Sequence, residues 1–347
     1  MRQPDHYAFS PDLAVWPVGA EIVLDCAEGY KWDPRPDDAD SFSVTLTCGP
    51  LGSLLNLIPL NSYSCVQESP LSDTEKLVSD LLATFGCIFI IGILAVTILL
   101  FLIARDKSVE RLLHMGQELH LLFAHLLVFT MRDRTSHPFC PWASVLLQYF
   151  FIGAFIFCSL EALQSYCIAT AVTIKGTFLG MNKWAVFLSG FLIPALPTAI
   201  GTAIAHGRYV ATYSCWLNIG DAVSGGSVVP IVAAAAVALI LAEASGMDGP
   251  GRRLPVADQD QYVAARTNSK GLLIVVPLSI SHWLLGAIAV YQANIGLYFT
   301  VFLLNIFTGV AILFFHAIGN PKAMAVFRRL FDRYRGKIRI TSRLDVK

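Results

Sequence analysis

The chain has 347 residues, of which 55% are hydrophobic and only 14% are charged. Soluble domains carry about 25% charged residues, so this composition excludes an ordinary soluble protein and indicates several membrane-spanning helices. The formal net charge of zero gives no sign of a nucleic-acid partner, although acidic residues concentrate near the start of the chain and basic residues near its end.

The first part of the chain reads as a small β module, residues 1–68, followed by a polar linker, residues 69–79. Short alternating runs such as EIVLDC and SVTLTC predict strands between turns. The three cysteines of the module, Cys26, Cys48 and Cys65, indicate an extracellular, disulfide-stapled unit in which one cysteine is left over. No secretion signal is visible at the start of the chain, so we expect either that the signal was removed or that the chain is a fragment.

Seven apolar segments long enough to span a bilayer follow between residues 80 and 318. They cover residues 80–103, 112–131, 142–173, 184–205, 226–245, 270–291 and 295–318. Seven crossings place the two termini on opposite sides, with 18 Lys and Arg on the side of the C-terminus and 7 on the other. Because cytoplasmic loops carry the excess of Lys and Arg, we expect an extracellular N-terminus and a cytoplasmic C-terminus.

Two polar stretches are expected on the cytoplasmic side. Residues 246–269, rich in Gly, Asp and Arg, read as the longest inner loop. Residues 319–347 begin with Asn320 and Pro321, which favour a helix start, and continue with apolar residues on one helical face and basic residues around it. This pattern predicts an amphipathic helix that binds membrane lipid at the inner leaflet.

The third segment carries a carboxylate, Glu161, inside its hydrophobic pattern. At about 1.5 Å per residue, Cys140 and Glu161 lie roughly 32 Å apart along a helix, close to the thickness of the hydrocarbon core. A charge in the bilayer is costly, so Glu161 should face protein or water and is a functional candidate.

Several motifs in this order resemble the seven-helix domain of the adhesion/secretin group of G-protein-coupled receptors. They are Leu113-His114, Cys140 followed by LLQYFF and LEALQSY, PALPTAI at 194–200, SCWL at 214–217, Trp283-Leu284-Leu285-Gly286, and the run from Phe307 to His316. Four positions depart from the group's usual residues: Phe191, Ala238, His282 and Thr308.

The resemblance implies a cell-surface receptor of the plasma membrane that carries a signal from an unknown extracellular ligand to heterotrimeric G proteins, with no enzyme activity and no cofactor. In the first part of the chain, VGAEIVLDCAEGY, VTLTC and YSCV resemble the last three-quarters of a sushi domain. That resemblance implies that the module is truncated. It also implies a Cys26–Cys65 disulfide and leaves Cys48 unpaired, because the partner of Cys48 should precede residue 1. A generic cysteine-stapled module remains the alternative.

Site residues follow from the same resemblance. It implies a disulfide between Cys140 and Cys215 and a polar network of His114, Glu161 and His316 that holds the inner halves of the helices together. Histidines satisfied by nearby backbone or hydroxyl groups are the plain alternative. A metal site is a further one, since His114, Glu118 and His125 share one helix face, but their spacing matches no closed zinc pattern.

Further candidates lie in the sixth helix, in the outer half of the bundle and on its inner face. Pro277 permits a kink in the sixth helix. The resemblance implies an activation switch of Pro277, Trp283 and Gly286, and an interfacial anchor is the alternative for Trp283. Helix faces suggest a ligand pocket of Gln148, Tyr149, Phe155, Trp216 and Phe302. The expected G-protein face comprises Arg266, Lys270, Arg328 and Arg329.

Three other functions fit the sequence less well. A seven-helix, metal-dependent hydrolase needs several histidines and an acid converging on zinc. A retinal protein needs a lysine in the last segment, which has none. A transporter should show matching repeats.

Overall fold

The structure is a computed structural model that describes residues 7–10, 21–26, 30–33, 44–48, 54–55, 64–67, 71–105, 108–131, 139–170, 182–205, 210–211, 214–217, 225–246, 256–319, 324 and 328. It separates into two compact units, Met1–Ser72 and Asp73–Lys347.

The first unit consists of β-strands in its described part, as the alternating runs predict. Strands β1 (Tyr7–Ser10), β2 (Glu21–Cys26), β4 (Val44–Cys48) and β5 (Leu54–Leu55) form one antiparallel sheet in that order, while β3 (Tyr30–Asp33) pairs with β6 (Ser64–Gln67). Cys26, Cys48 and Cys65 lie in strands, but their side chains are outside the described residues. The Cys26–Cys65 disulfide therefore stays a prediction.

Among the described residues of the second unit, seven helical spans are long and apolar enough to cross a membrane, which confirms the predicted bundle. The elements are α1 (Asp73–Ala104), α2 (Val109–Met131), α3 (Cys140–Ala169), α4 (Lys183–Leu192), α5 (Ala195–Ala205), α6 (Gly225–Gly246), α7 (Val256–Gln292) and α8 (Ile295–Ile312), with α8 continued by a π-helical turn, Leu313–Ile318. Helices α4 and α5 together make the fourth span. They meet at Pro194, whose missing N–H interrupts the helical ladder.

Two boundaries differ from the expected ones. Helix α1 begins at Asp73 and so includes most of the linker expected at 69–79. Helix α7 begins at Val256, so the prediction of a loop over 246–269 is wrong for its second half. Residues 256–269 contain neither Gly nor Pro and include helix-favouring Ala, Gln and Arg. A loop was expected because the Gly-rich residues just before them dominate the average composition of residues 246–269.

Helix α3 is the centre of the bundle and packs against α2, α6 and α7. Its aromatic side chains Phe151, Phe155 and Phe157 are the largest fully buried residues of the core. Residues 132–138, between α2 and α3, are outside the described residues. The hairpin of β7 (Val210–Ala211) and β8 (Ser214–Leu217) follows the fourth span. Beyond the π-helical turn, only Gly319, Met324 and Arg328 are described, the last two as helical, so the rest of the amphipathic helix predicted for 319–347 lies outside the described residues.

Candidate functional site

A disulfide between Cys140 and Cys215 joins β8 to the first turn of α3. Both cysteines are buried, and the hydroxyl of Ser144 donates to the carbonyl oxygens of Cys215 at 3.0 Å and of Trp216 at 3.3 Å. The predicted disulfide is therefore present, and the hydroxyl adds a second attachment one turn further along α3. We call this end of the bundle the disulfide end, and the end that holds Arg111 the Arg111 end.

Below the hairpin lies a cavity of about 40 Å³, the Trp216 cavity. Its lining comprises Ala83, Cys87, His125, Val128, Trp216, His282, Gly286, Ala289, Val290, Tyr298, Val301, Phe302 and Asn305. The surface is mostly apolar, and its polar groups are two imidazoles, the Asn305 amide, the Trp216 indole, the Tyr298 hydroxyl and the Cys87 sulfur. An apolar surface with a few convergent polar groups is the chemical pattern of a ligand site, and a volume of about 40 Å³ fits an ion or a few water molecules.

Two of the five residues expected in a ligand pocket, Trp216 and Phe302, line this cavity. Three do not. Tyr149 faces the fourth span, where its hydroxyl donates to the carbonyl oxygen of Phe191 at 2.9 Å, and Phe155 is fully buried in the apolar core. Gln148 is buried next to Tyr149, outside the cavity. The helix faces were assigned without knowing how α3 is rotated between α2, α6 and the fourth span, and this rotation decides which side chain reaches the cavity.

The expected switch residues lie together on α7. Pro277 is inside the helix, and Trp283 is 2% exposed with its ring centre 6.3 Å from that of Phe151. This burial contradicts the alternative in which Trp283 anchors the helix at the membrane interface. Gly286 faces Trp216, so that a Cβ at this position would lie 3.7 Å from the indole. Helix α7 thus contacts Phe151 of α3 through Trp283, and it contacts Trp216 of the hairpin through Gly286.

The three residues of the expected polar network are brought together near the Arg111 end. His114 Nε2 lies 2.6 Å from Glu161 Oε1 and 2.9 Å from the side-chain oxygen of Asn268. The His316 ring stacks on the His114 ring at 4.1 Å with an interplanar angle of 2°. All four side chains are buried, so the contact joins α2, α3, α7 and the π-helical turn within the apolar bundle.

Four further residues belong to this network. From the sequence, Glu118 was considered only as a metal ligand, and Arg111, Asn268 and Ser165 were given no place in the network. Arg111 Nη1 lies 3.0 Å from His114 Nδ1 and donates to the carbonyl oxygen of His316, and His316 Nδ1 lies 3.0 Å from Glu118 Oε1. The amide of Asn268 donates to the Ser165 hydroxyl. Arg111 and Glu118 are three residues before and four after His114, a spacing that places them on its helix face and could have revealed them.

The hydrogen-bond pattern of His114 decides between a network and a metal site. Donor atoms of His114, Glu161 and His316 lie within 4.8 Å of one another, close enough to share an ion. Arginine has only donors, so His114 Nδ1 must accept from Arg111, and Nε2 must then carry the hydrogen that faces Glu161 and Asn268. A metal at Nε2 would require moving that hydrogen to Nδ1, against the guanidinium. The arrangement therefore favours a hydrogen-bonded network.

The other metal set considered, His114, Glu118 and His125, does not converge. His114 faces Glu161, Glu118 faces His316, and His125 stacks on His282 near the disulfide end. Sharing a helix face over eleven residues leaves these side chains at different heights in the bundle.

The expected G-protein face is partly described. Arg266 Nη2 donates to the carbonyl oxygen of Gly246 at 2.7 Å, and its guanidinium lies 5.7 Å from the centre of the Tyr262 ring. Arg266 therefore caps the last turn of α6, where a cation is favoured. Lys270 and Arg328 are exposed, and Arg329 lies outside the described residues.

Comparison with known proteins agrees with this architecture. The profile of the 7 transmembrane receptor (Secretin family) matches residues 77–312, which is more than half of the chain. The bovine Adhesion G-protein coupled receptor D1 is 23% identical over 254 residues, covering 70% of this chain and 27% of that protein. The human Adhesion G protein-coupled receptor L1 is 24% identical over 329 residues, covering 92% of this chain and 21% of that protein.

The human Adhesion G protein-coupled receptor L4 is 24% identical over 253 residues, covering 71% of this chain and 36% of that protein. The chain thus spans about a fifth to a third of the length of these curated relatives. The seven membrane-length helices and the match of the profile to nearly the whole bundle point to the same group. The chain belongs to the secretin family of seven-transmembrane receptors and is of the adhesion/secretin type.

Proposed function

We propose that the chain transmits an extracellular signal across the plasma membrane to heterotrimeric G proteins. In this proposal the disulfide end and the N-terminal unit face outwards, and the Arg111 end faces the cytoplasm, as the excess of Lys and Arg near the C-terminus favours. The β-strands of the N-terminal unit are consistent with a sushi-like module that meets an external partner.

The observation that carries the proposal is the bond between His114 and Glu161, with Asn268 and His316 around it. Four spans are held together at the end where a G protein would dock, by polar side chains that are buried in the apolar bundle. Breaking one bond of such a buried set leaves other groups unpaired and costs about 1–3 kcal/mol per group. The network is therefore an element with two states, closed and separated, that a ligand can bias.

A ligand acting at the other end has a route to this network. The Trp216 cavity lies beneath the hairpin, Gly286 contacts Trp216, and Trp283 packs on α3 three residues earlier in α7. Pro277 lies between Trp283 and Asn268 in α7, so a bend there would move Asn268 relative to His114. The proline frees backbone groups of the helix, which makes this the place where α7 can bend.

A variant that keeps the shape of Glu161 but removes its charge tests the proposal. Glu161→Gln should raise basal G-protein activation, because a neutral amide holds His114 less tightly than a carboxylate does. If the closed state is also needed for folding, surface expression should fall instead. The measurement is a panel of G-protein activation assays in cells, normalised to receptor at the surface.

Glu243→Gln, the same change at an exposed carboxylate of α6, is the matched control and should leave both quantities unchanged. Wild-type basal activity and wild-type surface expression in the Glu161 variant would contradict the role of the network. Failure of both proteins to activate any G protein of the panel, at normal surface expression, would contradict G-protein coupling.

A further inference from the structure

Two histidines form a second pair in the bundle, separate from the network at the Arg111 end. The rings of His125 on α2 and His282 on α7 lie with their centres 5.1 Å apart and their planes 26° from parallel. Both rings line the Trp216 cavity and are 1% and 4% exposed. The motif comparison gave His282 no role, since the group usually has a small polar residue there.

One member of the pair, His125, has unused hydrogen-bonding capacity. Both ring nitrogens of His125 are buried without a hydrogen-bond partner among the described residues, and so is the side-chain oxygen of Asn305 in the same cavity. An imidazole always has at least one N–H, and a buried polar group left unpaired costs about 1–3 kcal/mol. Such groups in one cavity indicate that the cavity holds a polar occupant.

The chemistry of the lining restricts that occupant. Imidazole nitrogens suit zinc, copper and nickel ions, whereas calcium and magnesium prefer oxygen alone. The two histidines therefore decide the class of the ion, and the Asn305 oxygen can add one further ligand. Two imidazoles on one tetrahedral zinc, with zinc–nitrogen distances of about 2.0–2.1 Å, have ring centres about 5 Å apart. The separation of 5.1 Å between the ring centres of His125 and His282 is compatible with this value.

We propose that His125, His282 and Asn305 form a binding site for a divalent transition-metal ion of the zinc type within the Trp216 cavity. The cavity has room for one or two water molecules besides the ion, at about 15 Å³ for each, and these fill the remaining positions of an open site. The lining carries no Asp, Glu, Lys or Arg among the described residues, so the ligand set is neutral. A neutral set binds the ion less tightly than thiolate or carboxylate ligands do, and the ion exchanges.

Metal binding at this place would join three helices, because His125 lies on α2, His282 on α7 and Asn305 on α8. The ion would therefore hold the disulfide end of the bundle closed around the cavity. This site goes beyond the proposed function and does not depend on it, since the ion is bound whether or not the chain couples to a G protein.

The experiment uses the full chain, purified in detergent or nanodiscs, with Co²⁺ as a spectroscopic probe and Zn²⁺ as competitor. Wild-type protein should show the d–d absorption of tetrahedral Co²⁺, and Zn²⁺ should remove it. His125→Gln and His282→Gln should each weaken binding at least about tenfold, because even the loss of an outer-shell partner costs about 10–100-fold in metal affinity. Asn305→Ala should weaken it less.

His120→Gln is the matched control. His120 is also a buried histidine of α2, but it lies among Tyr149, Phe150, Phe157 and Phe191 and away from the cavity, so metal affinity should be unchanged. If a glutamine variant does not fold, His282→Asn and the Asn305 variant provide the same comparison. The absence of a Co²⁺ spectrum in folded wild-type protein means that the cavity holds water only and overturns the proposal. Unchanged affinity in folded His125 and His282 variants, or affinity lost through His114→Gln instead, also overturns it.

Discussion

At the scale of single residues, glycines decide how closely the second, third and fourth spans pack. A Cβ at Gly116 would lie 2.3 Å from the Phe157 ring, and a Cβ at Gly190 would lie 2.4 Å from the same ring. Phe157 therefore occupies a slot that exists because two helices, α2 and α4, have no side chain there. Close packing through small residues is the usual way in which membrane helices gain attraction, since burial from water contributes little.

We predict that Gly116→Ala and Gly190→Ala each destabilise the bundle by about 1–3 kcal/mol, the usual cost of overpacking a core. The measurement is thermal unfolding of the purified protein. Gly92→Ala is the matched control, because nothing lies within 4 Å of the position of its Cβ. That variant should be as stable as the wild type or more so, since alanine favours the helix over glycine by up to about 1 kcal/mol.

A smaller residue at position 157 supplies the reverse test. Phe157→Leu combined with Gly116→Ala should be more stable than the two separate losses predict, because the clash is removed. Equal stability of the Gly92, Gly116 and Gly190 variants would mean that Phe157 adjusts without cost and that the slot is unimportant.

The residues of the network show what could be predicted at this scale. His114, Glu161 and His316 were expected from the resemblance, and the structure brings them together. The membership of Arg111 and Glu118 in the network could have been predicted, because helix periodicity alone places them on the face of His114. The Phe157 slot could not have been predicted from the sequence, since Gly116, Phe157 and Gly190 are on three different helices and only tertiary packing relates them.

At the scale of elements, α7 gives the clearest case of a wrong boundary with a functional consequence. Asn268 lies in the stretch expected to be a loop, and it is a member of the network because the helix continues through it. A polar helix end carries no hydrophobic periodicity once it leaves the membrane, so the pattern of apolar residues gives no signal there. Its stability comes from propensity and from contacts such as the one between Ser245 and Ser269.

The link between α2 and the π-helical turn is the second element-level feature. Glu118 and His316 meet at 3.0 Å, and π-helical turns within α-helices are frequent at functional sites. We predict that these residues are energetically coupled. In a double-mutant cycle with Glu118→Gln and His316→Phe, the coupling energy should be about 0.5–2 kcal/mol, the range found for contacting pairs and for polar pairs in membranes.

Phenylalanine keeps a ring against His114 while removing the hydrogen bond to Glu118, so the cycle isolates that bond. The control cycle pairs Glu118→Gln with Gly92→Ala, which should be additive within about 0.3–0.5 kcal/mol because the two sites share no partner. Additivity of the Glu118 and His316 variants would show that the turn is held by packing and by the His114 stack alone.

At the scale of the whole molecule, the two ends of the bundle are equipped differently. The disulfide end has the Cys140–Cys215 disulfide and the Trp216 cavity. The Arg111 end has the buried polar network and a basic rim, which consists of Arg266, Lys270 and Arg328 in the described part of the chain. The number of spans could be predicted because each is a long apolar run. The lining of the cavity could not be predicted, because it depends on the rotation of each helix about its axis. Tyr149 and Phe155 were assigned to the pocket from the face of one helix alone, and neither of them lines the cavity.

The basic rim at the Arg111 end separates into residues with different roles. Arg266 caps α6 through the Gly246 carbonyl, so its loss removes a charge-assisted hydrogen bond worth roughly 1.5–3 kcal/mol and should reduce surface expression as well as signalling. Lys270, one turn further along α7, is exposed. A bend at Pro277 would carry it away from the end of α3 and leave it at the border of an opened groove, the contact that an amphipathic partner helix uses.

We predict that Lys270→Ala lowers G-protein activation at unchanged surface expression, whereas Arg266→Ala lowers both. Orientation in the membrane depends on the summed positive charge near the inner face, so one lysine among 18 positive residues of that side should not alter it. Lys76→Ala, the same change at an exposed lysine near the disulfide end, is the control and should affect neither quantity. Normal signalling by the Lys270 variant at normal expression would mean that the rim serves topology and the α6 cap, and that the partner binds through the apolar groove alone.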